Sequence, residues 1–237
     1  MQIITVYGVT KQTANTTIAE ELSLISLNKG YKTLLVDLDI HKGDVTERLQ
    51  LQHYPNISDW CEDIYLESKK SGISNVEYTG PQWARFLQKH QSGLDVLASN
   101  NNPKLPGSDN IYNAIKIICN SIKKSDYDGV VVDMSNTPTS FNFMVLEESD
   151  IPMLVVDTFR YNVVTLKHLL WDLKIIQFPV EKLKLLFNRE ASPLEDPPEA
   201  VAREFGLPVI GVLSEMEEKS EGFHRGLENI LEKIMQS

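Results

Sequence analysis

The chain is short of cysteine, of positive charge and of long apolar runs, and each shortage removes a class of protein. Its two cysteines, Cys61 and Cys119, stand alone, with no CxxC pair and no Cys/His ligand spacing. That argues against a disulfide framework and a zinc ribbon, and fits structural thiols in a reducing cytoplasm. Lysine and arginine number 23 against 33 acidic residues, a net charge of −10. Bulk binding to DNA needs a basic face that displaces counterions, so this balance weighs against it. The adjacent lysine pairs Lys69-Lys70 and Lys123-Lys124 read as solvated helix ends. No segment approaches the run of about 20 apolar residues that crosses a bilayer. His41, His53, His90, His168 and His224 form no metal-spaced cluster and read as surface or packing residues. No GxSxG motif or Cys–His signature supports nucleophilic catalysis. Residues 1–6 carry no basic segment ahead of an apolar one, and read as a first strand rather than a signal peptide.

What is present points to one α/β domain over residues 1–237, with 42% hydrophobic residues to fill its core. Apolar, β-branched runs predict strands at 3–7, 33–36, 94–97, 129–133, 153–156, 183–187 and 209–213. Helical spacing predicts helices at 16–28, 111–124, 162–175 and 198–205 between them. This alternation is the pattern of a doubly wound, mostly parallel sheet with helices on both faces. The run Val130-Val131-Val132 belongs in a buried central strand. Residues 66–82 show no clear period and read as an excursion. Residues 193–198 form a Pro- and acid-rich connection, and the acidic 215–218 run reads as a solvated one. A last amphipathic helix, 223–235, presents Leu227, Ile230, Leu231 and Ile234. Arg225 and Lys233 are balanced by Glu228 and Glu232, so it is expected to dock on the body rather than anchor to a membrane.

The most informative segment lies between the first strand and the first helix. A phosphate-binding loop uses glycines to turn backbone N–H groups inward, a lysine to neutralise the β- and γ-phosphates, and a Ser/Thr hydroxyl to hold Mg²⁺. Here the loop reads Val9-Thr10-Lys11-Gln12-Thr13-Ala14-Asn15-Thr16-Thr17, and the nearest glycine is Gly8. A left-handed non-glycine residue costs about 1–2 kcal/mol. Loss of two or three glycine positions therefore implies an affinity loss of roughly 10²–10³-fold. Thr16 and Thr17 are placed either to begin the helix or to contact nucleotide or metal.

From residue 16 to 39 the chain reads TTIAEELSLISLNKGYKTLLVDLD, followed by Ile40-His41-Lys42-Gly43-Asp44-Val45. This resembles the ParA/MinD superfamily of deviant-Walker P-loop ATPases, and within it the CpaE/TadZ branch, whose members are associated with Tad-type pilus assembly. The DLDxxxGDV form, residues 56–59, the 94–98 strand, the 127–133 segment, the 185–189 strand end and the 206–211 turn all contribute to the likeness. The resemblance implies a P-loop NTPase fold and a homodimer. It also implies Asp39 as the carboxylate that positions an attacking water, Asp133 as a magnesium contact through water, Thr16 as a metal ligand, and Asn188 as an adenine contact. Thr10 stands at the family's interface-crossing lysine and Asn15 at its phosphate lysine. Lys11, Gln12 and Ala14 stand at glycine positions, and Ser214 replaces a proline. Lys11, Asn15, Thr16, Thr17 and Asn188 are thus the candidate nucleotide-binding residues, with ATP and Mg²⁺ as weak ligands. Phosphoryl transfer is mostly positioning and charge stabilisation. Without both lysines, Asp39 is expected to be a solvated carboxylate at a strand end. The expectation is a degenerate localisation or assembly factor in the cytoplasm, recruited to a cell pole or to the inner face of the membrane by proteins of a pilus or secretion assembly. The alternatives are an active ATP–Mg²⁺ dimerising switch and a DNA-partition protein.

Overall fold

The computed structural model describes every residue except 12, 41, 102, 104–106, 215–219 and 237. The predictions made for Gln12, for His41 and for the acidic 215–218 run lie outside the described residues.

The described strands join one sheet: β1 (Gln2–Gly8), β2 (Thr33–Asp37), β3 (Gln88–Lys89), β4 (Asp95–Leu97), β5 (Gly129–Met134), β6 (Ile151–Val156), β7 (Lys184–Phe187) and β8 (Val209–Val212). Their order is β3-β4-β2-β5-β1-β6-β7-β8. All neighbours run parallel except the short edge strand β3, which pairs antiparallel with β4. The helices are α1 (Asn15–Asn28), α2 (Asp44–Arg48), α3 (Ile57–Ser71), α4 (Gly80–Trp83), α5 (Ser108–Lys123), α6 (Ser140–Glu148), α7 (Arg160–Ile175), α8 (Pro198–Phe205) and α9 (Glu221–Met235).

Side chains alternate across the sheet with the strand's period of two. Ile4 and Val6 of β1 enter the core under α1 and α9, while Ile3 and Tyr7 face the larger core under α3, α5, α6, α7 and α8. The predicted two-sided α/β sheet is therefore the observed one. The terminal helix docks as expected. Phe223, Leu227, Ile230, Leu231 and Ile234 are all buried, and α9 packs along α1.

The excursion predicted at 66–82 resolves into the end of α3, a 3₁₀ turn at Ile73–Asn75 and the start of α4. Asn56 caps α3 through a reciprocal capping box with Asp59, in which Asn56 Oδ1 accepts from the Ser58 and Asp59 amides and Asp59 Oδ2 accepts from the Asn56 amide, so that donors otherwise orphaned at that end are satisfied. The segment is held by aromatic stacking. Trp60 lies parallel to Trp83 and to Phe86, with ring centroids 5.4 Å apart in each case.

The topology sets the site. β1 and β5 are adjacent and parallel, so the loop after β1, the end of β5 and the start of α1 meet at the carboxyl edge of the sheet. In open α/β sheets this edge is where ligand crevices form.

Candidate functional site

At that edge an open cleft of about 550 Å³ is lined by Thr10, Lys11, Ala14, Asn15, Thr16 and Thr17 on one side, and by Lys42, Asp44, Glu47, Arg48 and Asn136 on the other. The structure thus gathers four of the five candidate binding residues on one wall. The fifth, Asn188, enters from the end of β7, where its Nδ2 donates to the Thr13 carbonyl at 3.1 Å.

The loop backbone ends in a left-handed residue, Ala14 (φ 61°, ψ 24°), which stands at the N-cap of α1 without a side-chain cap bond. The helix begins at Asn15, so Thr16 and Thr17 lie inside the first turn and neither caps it. A left-handed turn with a Cβ carries a strain of about 1–2 kcal/mol. The loop interior is also filled. Thr13 is buried and donates its hydroxyl to the Thr10 carbonyl at 3.0 Å. A Cβ on Gly8 would stand 2.4 Å from that hydroxyl oxygen and 2.9 Å from Asn15 Oδ1. The space that glycine leaves is thereby taken by the chain's own side chains.

Asn15 lines the cleft, but its amide nitrogen is turned to the sheet. Its Nδ2 donates to Asp133 Oδ1 at 2.9 Å and to the Met134 carbonyl at 2.9 Å. A side-chain amide has two N–H donors, and both are committed to β5. Lys11 is exposed at the rim. Thr10, at the interface-lysine position, is buried with its hydroxyl unpartnered among the described residues.

Asp133 and Asp37 are paired in register on β5 and β2, and both are fully buried. Burial, partly offset by the Ser99 hydroxyl and the Asp39 amide, pushes the Asp37 carboxyl up to about 7. Burial first, and then the Asp37 charge, raises Asp133 as well, against the pull of hydrogen bonds from Thr16 and Asn15. Two carboxylates this close cannot both ionise freely in a dry interior. Ser99 Oγ donates to Asp37 Oδ2 at 2.6 Å, and the Asp39 amide donates to Oδ1 at 2.9 Å. Asp133 Oδ2 has no partner among the described residues.

Asp39 departs from the expectation of a solvated strand-end carboxylate. It is 5% exposed and ion-paired with Lys42, three residues on. The loop after β2 doubles back to make this pair. Gly43 (φ 72°) permits the turn, and a Cβ there would meet Asn100 Cα and the Asn101 amide at 2.9 Å. Burial works against the Lys42 ammonium, yet Asp39, Asp44 and Asp133 together raise its pKa. Arg48 reaches Glu20 at 2.7 Å. Lys42 and Arg48 were not singled out in the sequence. The one available signal was the three-residue offset of Lys42 from Asp39.

The residues can be tested against the ATP and Mg²⁺ that this fold implies. The metal corner fits in part, because a buried carboxylate oxygen of Asp133 is unspent and Thr16 lies beside it. The phosphate corner does not fit. The loop's interior is filled, Asn15 supplies no charge and no free N–H, and Lys42 is held by Asp39. Among the described residues, no group of three His, Cys, Asp or Glu side chains is arranged to hold a metal alone.

The sheet order, the helices on both faces and the cleft above β1 and β5 define the P-loop NTPase class of α/β fold. Within that class the chain has the fold of the MinD/ParA ATPases. The cell division ATPase MinD of Pyrococcus furiosus superposes with a TM-score of 0.70 at 16% identity, covering 99% of this chain and 98% of that one. A plasmid partition protein of Borrelia burgdorferi bound to AMPPNP gives 0.66 at 17% identity, covering 99% and 98%. Cobyrinic acid a,c-diamide synthase of Mycobacterium smegmatis, with an ATP analogue and magnesium, gives 0.67 at 16% identity, covering 100% and 95%. No family model matches the sequence, and no curated protein matches it.

Proposed function

We propose that the chain is a ParA/MinD-type protein of the CpaE/TadZ kind, a homodimeric localisation or assembly factor that works as an interaction platform and hydrolyses ATP weakly or not at all. The observation that supports this most is Asn15. Where a nucleotide switch of this fold needs a cation aimed into the loop, the chain has a neutral amide with both donors bonded to β5. The Asp39–Lys42 pair adds to it, because the carboxylate that would orient a nucleophile is already neutralised by its own loop. Such a protein serves a pilus, secretion or cell-pole assembly from the cytoplasm, and is recruited there by proteins. No described helix is long and apolar enough to cross a membrane. The similar structures span cell division, plasmid partition and amide synthesis, so the fold leaves the job to the surface.

A second reading, an ATP–Mg²⁺-dependent dimerising switch, is favoured by two unspent buried oxygens, Asp133 Oδ2 and Asn188 Oδ1. Phosphate release separates the two readings. Under the platform reading, the native chain with ATP and Mg²⁺ releases phosphate at the background rate, and Asp39→Ala does the same. Steady turnover that Asp39→Ala abolishes establishes the switch instead.

A further inference from the structure

The outward face of α7 has the wrong chemistry for a surface helix. Its inward stripe, Leu166, Leu169, Leu170 and Leu173, is buried in the core as expected. The opposite stripe should be polar. It holds Tyr161, Val164, Trp171 and Ile175, exposed by 76%, 44%, 67% and 66%, with His168 between them. Their spacing of three and four residues is that of a helix–helix seam. A helix that is apolar on both sides belongs inside an assembly.

Charge defines the partner. Arg160, Lys167 and Lys174 recur every seven residues along one edge of this stripe. Among the described residues none of the three has an ion-pair partner. In a chain of net charge −10, three unspent cations in a row stand out. On the same side, a groove of about 260 Å³ opens between α7 and α8. Its apolar lining includes Leu170, Trp171, Val180, Phe205 and Leu207, with Lys167, Lys174 and Glu204 on its walls. A concave apolar slot flanked by lysines suits an inserted side chain better than a flat lipid surface. An antiparallel pairing of α7 with its own copy brings basic ridge against basic ridge, which disfavours that arrangement of a second copy.

We infer that the exposed face of α7 and the adjoining α7–α8 groove dock an acidic amphipathic helix of another protein, whose apolar residues cover Val164, Trp171 and Ile175 and whose carboxylates meet Lys167 and Lys174. This rests on the platform reading insofar as a localisation factor needs a partner face, but it requires no nucleotide.

Trp171 reports the event directly, because Trp60 and Trp83 are buried at 0% and 3% exposure. The probe is a synthetic helix about three heptads long, with leucine at its seam positions and glutamate on its flanks. It is compared with a version bearing lysine on the flanks. The full chain is titrated without nucleotide, so the result is independent of any ATPase outcome. The acidic helix shifts Trp171 emission to the blue with a dissociation constant on the order of 10 μM. The lysine version does not, and the double variant Lys167→Glu/Lys174→Glu weakens binding at least about tenfold. Both substituted side chains are exposed, so the variant folds. The inference is overturned if neither helix shifts the emission, or if both do so equally. A shift produced by phosphatidylglycerol vesicles but not by the acidic helix assigns the face to lipid. Concentration-dependent dimerisation lost in Val164→Ser/Ile175→Ser assigns it to a second copy. Either of these also overturns it.

Discussion

At the scale of single residues, the site is decided by where a few polar atoms spend their bonds. Ala14 adopts a left-handed turn that glycine takes without strain. Ala14→Gly is therefore expected to stabilise the fold by about 1 kcal/mol, read from the urea midpoint at unchanged slope. The buried pair Asp37 and Asp133 makes stability depend on pH. Both carboxyls are raised above their unfolded values, so the folded state holds a proton that the unfolded chain has lost. This contribution is complete below about pH 4 and fades as the pH rises toward about 7. Asp133→Asn removes the shared charge while keeping an acceptor for Asn15. It is expected to flatten the pH 4–7 slope and to raise stability at neutral pH by on the order of a few kcal/mol. Denaturant titrations of both chains across that range check it. An unchanged slope contradicts the coupling.

At the scale of elements, the long apolar strands and most of the periodic helices were legible, whereas the short or unperiodic elements were not, and α3 went unpredicted although Ile57, Trp60, Cys61 and Ile64 have helical spacing. β5 announced itself through Val130-Val131-Val132, and α9 through its regular leucine and isoleucine spacing. α6 was missed because Phe141, Phe143, Met144, Val145 and Leu146 ring the helix and leave no polar face to give it a period. β3, two residues long, has no sequence signal at all. The 66–82 stretch was opaque because its order comes from contacts distant in sequence, above all the Trp60 stack on Trp83 and Phe86. Trp60→Ala is expected to cost about 3–5 kcal/mol. Thermal unfolding of the variant measures this, and a loss below 1 kcal/mol contradicts the view that the stack holds the segment. At the site, the loop's missing glycines and lysines could be read from the sequence. The inward turn of Asn15 and the Asp39–Lys42 pair could not, because each depends on the register of β1, β2 and β5 at the sheet edge.

At the scale of the whole molecule, a nucleotide-switch fold is combined with a loop in which Thr13 is buried and a neutral amide, Asn15, is bonded to β5, leaving Lys11 at the rim as its one cation among the described residues. The sheet, both cores and the docked terminal helix account for the stability of such a fold without any ligand. The filled loop after β1 and the Asp39–Lys42 pair after β2 both lie at the carboxyl edge of the sheet, while an apolar helix face is exposed on the other side of the sheet from α1 and α9. A platform of this kind has a cleft that does not grip a triphosphate. Calorimetric titration of the full chain with ATP and Mg²⁺ tests this most directly. A platform gives no resolvable heat and no shift in melting temperature at millimolar nucleotide, whereas saturable binding at micromolar ATP marks a nucleotide switch and contradicts the platform reading.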